Sequence, residues 1–223
     1  MRLVNKEFGF EFQLTENTVL NIVCENRNAF KSMVFDFYSE AKGDDGAWIL
    51  SDNDEEHCIS KRVEVIVNPF SISCNDRKIL NAVYKELHDV LEQKYCEAYS
   101  EVNSRIFNLI DTVLQNVPYP LVSELSGDIE GLFKLYDVKF DEEYTSLAER
   151  IISYIKTSSQ VLKKKVYVLV NIKTYLDDNE MKQLYKEAMY NKAYLVILES
   201  KDTAKLDEEK KVVLDDDLCI IES

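Results

Sequence analysis

Two near-continuous apolar runs constrain this chain most: Val166-Tyr167-Val168-Leu169-Val170 and Ala193-Tyr194-Leu195-Val196-Ile197-Leu198. Between them, Met181, Leu184, Tyr185 and Ala188 recur at helical spacing from Asp178 to Tyr190. Runs without polar alternation are strands covered on both faces. A strand, a helix and a second such strand form a crossover unit of a parallel sheet. The predicted fold class is therefore α/β, with helices on both faces of a mostly parallel sheet.

The opening of the chain supplies more strands. Phe8, Phe10 and Phe12 alternate with small or polar residues, which is the period of a half-buried strand. Val19-Leu20-Asn21-Ile22-Val23-Cys24 is a buried strand, and Asn26 or Asn28 can cap the helix that carries Phe30, Val34, Phe35 and Phe37. Trp48–Leu50 is a short strand, and Val63–Val67 another, stopped at Asn68-Pro69. Val212–Ile221 adds a last short strand.

The middle is different. From Ile79 to Leu114, apolar residues return every three or four positions without Pro or Gly. This predicts one continuous helix, roughly 55–60 Å long at ~1.5 Å per residue, which projects as an arm. Pro118 and Pro120 end it. A short helix is expected over Asp128–Leu135. A second long amphipathic helix, over Glu142–Ser159, can run back along the first. The expected organisation is an α/β head from residues 1–69 and 161–223, with an antiparallel helical leg inserted over 70–160.

Few functional classes survive the motif search. Strand 19–24 is followed by Glu25-Asn26-Arg27-Asn28-Ala29-Phe30-Lys31-Ser32, with Lys-Ser where a phosphate loop would have it. The glycines that let backbone wrap a phosphate are absent, and Glu25 repels anions. His57 and His88 have no partner at a catalytic spacing. Acidic clusters at Asp215–Asp217, at Asp52, Asp54, Glu55 and Glu56, and at Glu124, Asp128 and Glu130 offer oxygen ligands of the kind hard cations take. As runs of charge they read first as solvated faces. The five cysteines, Cys24, Cys58, Cys74, Cys96 and Cys219, are odd in number, widely spaced and without a CxxC pair. They read as reduced thiols, so a cytoplasmic protein is expected. No apolar run reaches the ~18 residues of a bilayer span, and the first residues lack a signal-peptide pattern.

The net charge is −14, from 27 basic and 41 acidic residues. No third of the chain is basic overall, so composition by itself does not propose a polyanion as ligand. Local candidates for phosphate contact are the run Lys163, Lys164 and Lys165, and the pair Lys134 and Lys139. Before a buried strand, a lysine run also serves to block an edge.

In its C-terminal third the chain resembles the Csn-two family of type II-A CRISPR loci, in its short form. The stretch LKKKVYVLVNIKTYLDDNEMKQLYKEAMYNKAYLVILES has that family's order of basic run, strand ending in V-N, loop, helix and second strand ending in L-E. VVLDDDLCIIES matches its terminal strand. Upstream, LFKLYDVKFD and the TVLNIV strand with Phe30-Lys31 also fit. The resemblance implies a head related to P-loop ATPase folds with a degenerate nucleotide site, and a helical leg. It further implies a homotetrameric ring that holds double-stranded DNA from its free ends in a lysine-lined hole. The family acts without established catalysis in spacer acquisition, beside the integrase pair and the guide-RNA effector nuclease. By position, Lys31, Lys134 and Lys139 match basic sites that face DNA, with Lys163, Lys164 and Lys165 next. A ring of this kind can be acidic outside and basic along its bore.

The family also implies Ca²⁺ held by carboxylates of the leg. Here the corresponding place reads NVPYPLVSELSGDIEG, which leaves Glu124, Asp128 and Glu130. Fewer carboxylates weaken a hard-cation site. The rival expectation is an enzyme on a degenerate P-loop fold, either a metal-dependent nuclease or a residual ATPase using Lys31 and the acidic clusters.

Overall fold

The computed structural model describes residues 1–53, 55–123 and 129–222. It divides into two compact units, Met1–Cys74 with Glu142–Ser223, and Asn75–Asp141.

The first unit holds two sheets. In chain order its elements are β1 (Arg2–Asn5), β2 (Phe10–Gln13), β3 (Val19–Cys24), α1 (Arg27–Lys42), β4 (Trp48–Asp52), β5 (Glu55–His57), α2 (Ile59–Arg62) and β6 (Val63–Ile66). In the second unit, α3 (Arg77–Lys94), α4 (Cys96–Leu114) and α5 (Ile129–Leu135) follow. The first unit resumes with α6 (Leu147–Val161), β7 (Val166–Val170), α7 (Asp178–Tyr190), β8 (Tyr194–Glu199), β9 (Glu209–Leu214) and β10 (Ile220–Glu222). The smaller sheet is antiparallel, in the order β2-β1-β4-β5. The larger runs β10-β9-β3-β8-β7-β6 and is parallel except for β10. The predicted α/β class with a mostly parallel sheet is the observed one, and β7-α7-β8 is its crossover unit.

Burial explains the sequence pattern. Every residue of β3 and β7 is buried, as an unalternating apolar run requires on a strand covered from both sides. On one side, α1 contributes Ala29, Met33 and Phe37, and Phe37 stacks on Trp48 at 3.9 Å between ring centroids. The helix stops at Gly43, whose φ of 109° is a left-handed cap that a side chain resists. On the other side lie α6 and α7. α7 begins with a capping box, Asp177 with Glu180.

The units divide at Cys74/Asn75 and at Asp141/Glu142, so the second amphipathic helix lies in the unit that holds the sheets. That helix is α6. Its apolar face buries Ile151, Ile155 and Ser158, and the Ser158 hydroxyl meets the buried Tyr167 hydroxyl of β7 at 2.9 Å. Amphipathicity shows that a face is covered, and here the sheet covers it.

The expected continuous helix is also two. Tyr95, at φ −131° and ψ 21°, caps α3 and precedes α4. No Pro or Gly marks the break. The two helices are about 27 and 28 Å long at ~1.5 Å per residue. α5 covers the expected short helix from Ile129, and Asp128 lies outside the described residues. Within this unit Asn75 clamps the chain by exchanging bonds with Phe140: Nδ2 donates to its carbonyl at 3.0 Å and Oδ1 accepts from its amide at 2.8 Å.

Candidate functional site

The turn from β3 into α1 is where a phosphate loop would sit, and this chain fills it with its own groups. The Asn26 Oδ1 accepts the amides of Asn28 and Ala29 at 3.1 and 3.0 Å, so two of the helix's free N-terminal donors are taken. The other end of the same side chain donates to the Asp216 carbonyl at 2.8 Å. The Glu25 amide donates to the Leu214 carbonyl at 2.9 Å. The Asp215–Asp217 run is thereby a turn latched over the start of α1. Its first carboxylate accepts the amides of Asp217 and Cys219 at 3.0 and 2.8 Å. Burial pushes the Cys24 thiol up to about 11, and the charges of Asp216 and Glu25 push it the same way.

The lysines separate into groups. Lys134 and Lys139 both lie in the helical unit. The Lys134 ammonium stands 6.0 Å from the Tyr84 ring and 3.9 Å from Glu130. The Tyr84 hydroxyl donates to the Val138 carbonyl at 2.7 Å, beside Lys139, which is paired with Asp137. Both lysines are more than half exposed.

Lys163, Lys164 and Lys165 lead into the N-terminal end of β7. Lys163 is exposed and Lys165 half-buried. Lys164 departs from the expectation of a phosphate-facing run. Its ammonium is buried and donates to the carbonyls of Ser60 and Val63, at 2.9 and 2.5 Å, with Glu64 at 3.2 Å. Its three donors are used inside the fold. Lys31 lies on the second turn of α1, which starts at the C-terminal end of β3. Because β3, β8 and β7 are parallel, that is the opposite end of the sheet from the lysine run. Lys31 is exposed and lines an apolar groove with Phe30, Val34 and Phe35.

Of the carboxylates a calcium site would use, Glu124 and Asp128 lie outside the described residues. Glu130 has Lys134 as its neighbour, a cation where a metal would bind. Among the described residues no three of His, Cys, Asp or Glu converge as ligands. The second acidic cluster is similarly dispersed. Asp52 faces the N-terminal ammonium at 3.7 Å, and Asp54 lies outside the described residues. His88 sits on the surface of α3 between Asp89 and Glu92, at 3.9 and 3.7 Å.

Sequence reasoning misses a charged group buried in the head. Lys173, after β7, reaches Glu209 of β9 at 2.7 Å, with side chains 8% and 0% exposed. The same carboxylate accepts from Asn21 at 2.7 Å and Tyr185 at 2.5 Å. Burial raises the Tyr185 hydroxyl pKa, as do its bond to Glu209 and that group's charge. The signal is faint: a glutamate opening a strand, 36 residues from its lysine partner.

Comparison with known proteins places the chain. The family model described as "CRISPR-associated protein (Cas_Csn2)" matches residues 39–218. The CRISPR-associated protein Csn2 of Enterococcus faecalis is 24% identical over 143 residues, covering 61% of this chain and 63% of that protein. The match thus spans less than two thirds of the relative's length. Among solved structures, a Pyrococcus furiosus chain described as an ABC transporter ATP-binding protein shares 14% identity, with a TM-score of 0.41 over 95% of this chain and 97% of that one. At that score no detail of site or mechanism transfers. No helix among the described residues is long and apolar enough to cross a membrane. The family match covers most of the chain, and the chain belongs to the Csn2 family of CRISPR-associated proteins.

Proposed function

We propose that this CRISPR-associated protein is a non-catalytic binder of double-stranded DNA ends. It works as a homotetrameric ring in spacer acquisition, together with the integrase pair and the guide-RNA effector nuclease. The observation that supports assembly is α4. None of its side chains is buried, yet Val102, Ile106, Leu109, Ile110 and Val113 form one apolar stripe, with Leu109 and Val113 at 64% and 57% exposed. A stripe of that spacing is the face a helix buries against a partner. Self-association supplies the cover. It also multiplies each exposed lysine fourfold, which reconciles a charge of −14 with a polyanionic ligand.

Lys134, Lys139, Lys163 and Lys165 are the lysines proposed to line the DNA path. Lys164 is committed inside the fold, and Lys31 stands at an apolar groove. Such interactions follow phosphates and carry no base information, so binding is expected to ignore sequence and to weaken with salt. The absence of catalysis is supported by the turn after β3, where Asn26 and the Asp216 carbonyl stand in the place of a phosphate.

The test is a mobility shift on linear and closed circular duplexes of one sequence, with and without calcium, beside light scattering for the oligomer. Linear DNA binds better than circular DNA, and Lys134→Glu with Lys139→Glu lowers the salt slope by about 0.9 for each phosphate no longer neutralised. Equal binding to both forms, or a monomer at every concentration, refutes the proposal.

A further inference from the structure

The open edge of the larger sheet carries a second surface, independent of the DNA reading. β6 is the edge strand, paired among the described residues with β7 alone. The Arg62 carbonyl accepts from the Lys165 amide, so residues of that parity face β7. Backbone groups of the alternate residues face outward. At Val63 these are already used: its amide donates to Ile59 and its carbonyl accepts from Lys164. Val65 is the next, and Val67 continues the row. The edge is short, four residues, and Lys164 covers it at Val63, but beyond that point no charged residue or proline stands on the outward row of Val65 and Val67. Glu64 is turned to the other side, where it holds Lys164 and the Tyr154 hydroxyl, and the proline comes only at Pro69.

Beside this edge runs a groove of about 680 Å³, in the range of ordinary binding clefts. Its walls are Phe30, Val34, Phe35 and Tyr38 of α1 and Val65 and Val67 of the edge. α1 has two apolar stripes. Ala29, Met33 and Phe37 are buried in the core, while Phe35 is left 65% exposed and Tyr38 43%. The polar side chains along the groove are engaged within the chain: Tyr38 accepts from Lys42, Asn68 from the Phe70 amide, and Ser71 donates to the Asn68 carbonyl. Lys31 is the exception. It is the one charged residue of the lining, and among the described residues its ammonium has no hydrogen bond or ion pair.

We propose that this groove binds an extended segment of a partner protein, which adds as a strand to β6 and is apolar at alternate positions, with a carboxylate beside Lys31. A strand and a helix flanking an apolar channel are the elements of strand-addition recognition, in which edge amides give affinity and side-chain pockets give selectivity. The charge commits the occupant. A lone ammonium on an apolar wall selects a single carboxylate at one end of an apolar segment. A phosphate chain would need a polar track with several cations.

The probe is a synthetic peptide of alternating valine and threonine ending in glutamate, followed by fluorescence anisotropy with the full-length protein. Companion peptides end in lysine or carry N-methyl groups on alternate amides. The glutamate peptide binds saturably, the lysine peptide about three- to fivefold more weakly, and the N-methylated peptide not at all. Lys31→Glu inverts the order of the first two. Phe35→Ser, an exposed change that spares the core, weakens both and leaves the DNA shift intact. The proposal is overturned if no peptide saturates at about 1 mM, or if the order survives Lys31→Glu. It is also overturned if Phe35→Ser dissolves a self-association that the peptides cannot compete, which would seat a second copy in the groove.

Discussion

Breaking the Lys173–Glu209 pair should cost more than any surface change in this chain. The two groups meet at 2.7 Å with almost no solvent access. At an effective dielectric of about 20 their attraction is about 6 kcal/mol, most of it offset by the loss of hydration. Removal of one partner leaves the other's desolvation uncompensated. Lys173→Met strands a carboxylate that keeps, among the described residues, the Asn21 and Tyr185 donors, and about 3–5 kcal/mol is lost. Glu209→Gln costs about 2–4 kcal/mol, because an amide presents donors to a lysine and a tyrosine that also donate. The double variant removes both charges and should cost about 2 kcal/mol less than the sum. Trp48 is the only tryptophan. It is buried against Phe37 in the same unit, so its fluorescence in urea reports the head alone. With a slope of about 2 kcal/mol per molar urea, the Lys173→Met midpoint falls by about 1.5–2.5 M. A loss under about 1 kcal/mol, or strict additivity in the double variant, would refute the reasoning.

Three other outcomes can be measured directly. Cys58 is exposed and its pKa is lowered, first by the bond with the Ser60 hydroxyl at 3.1 Å, so under a disulfide reagent it should react before Cys96 and Cys219. Cys24 and Cys74 are buried and wait for unfolding, as mass mapping of labelled thiols will show. Burial raises the Glu199 carboxyl above its ordinary 4.5, so the folded state holds that proton more tightly than the unfolded chain. Stability from this group therefore falls as pH rises from about 4.5 through the raised value, and Glu199→Gln should flatten that fall in urea midpoints taken between about pH 4 and 8. Asn75→Ala removes both bonds to Phe140 and should destabilise the helical unit by about 2 kcal/mol, read as faster exchange of the Phe140 amide with wild-type Trp48 melting.

The head is legible in the sequence where burial is total. The runs at 19–24, 166–170 and 194–199 have no polar alternation, and only strands covered on both faces tolerate that. The helices are legible as helices but not as neighbours. The stripe of Ile151 and Ile155 has the same period whether it packs on another helix or on a sheet, so periodicity alone puts α6 in the leg as readily as on the head. The break at Tyr95 leaves no mark because nothing at that position forbids a helix. Lys164 and Lys163 are adjacent and chemically identical, yet the left-handed backbone at Lys163 turns one outward while its neighbour is buried. The extra width of α1, with Phe35 and Tyr38 beside the Met33–Phe37 stripe, is a readable sign that more than one face of that helix is apolar.

Strand β3, Val19–Cys24, lies between β8, Tyr194–Glu199, and β9, Glu209–Leu214, so both of its neighbours are made long after it. During synthesis at roughly 5–20 residues per second, Val19–Cys24 waits roughly 10–40 s for both of them. For that interval an apolar segment with open backbone on both sides is exposed on the nascent polypeptide, and the head cannot close until Glu209–Leu214 has been made. Newly made protein is thus most vulnerable at Val19–Cys24, and a truncated product that stops before Glu209 would keep the hazard permanently.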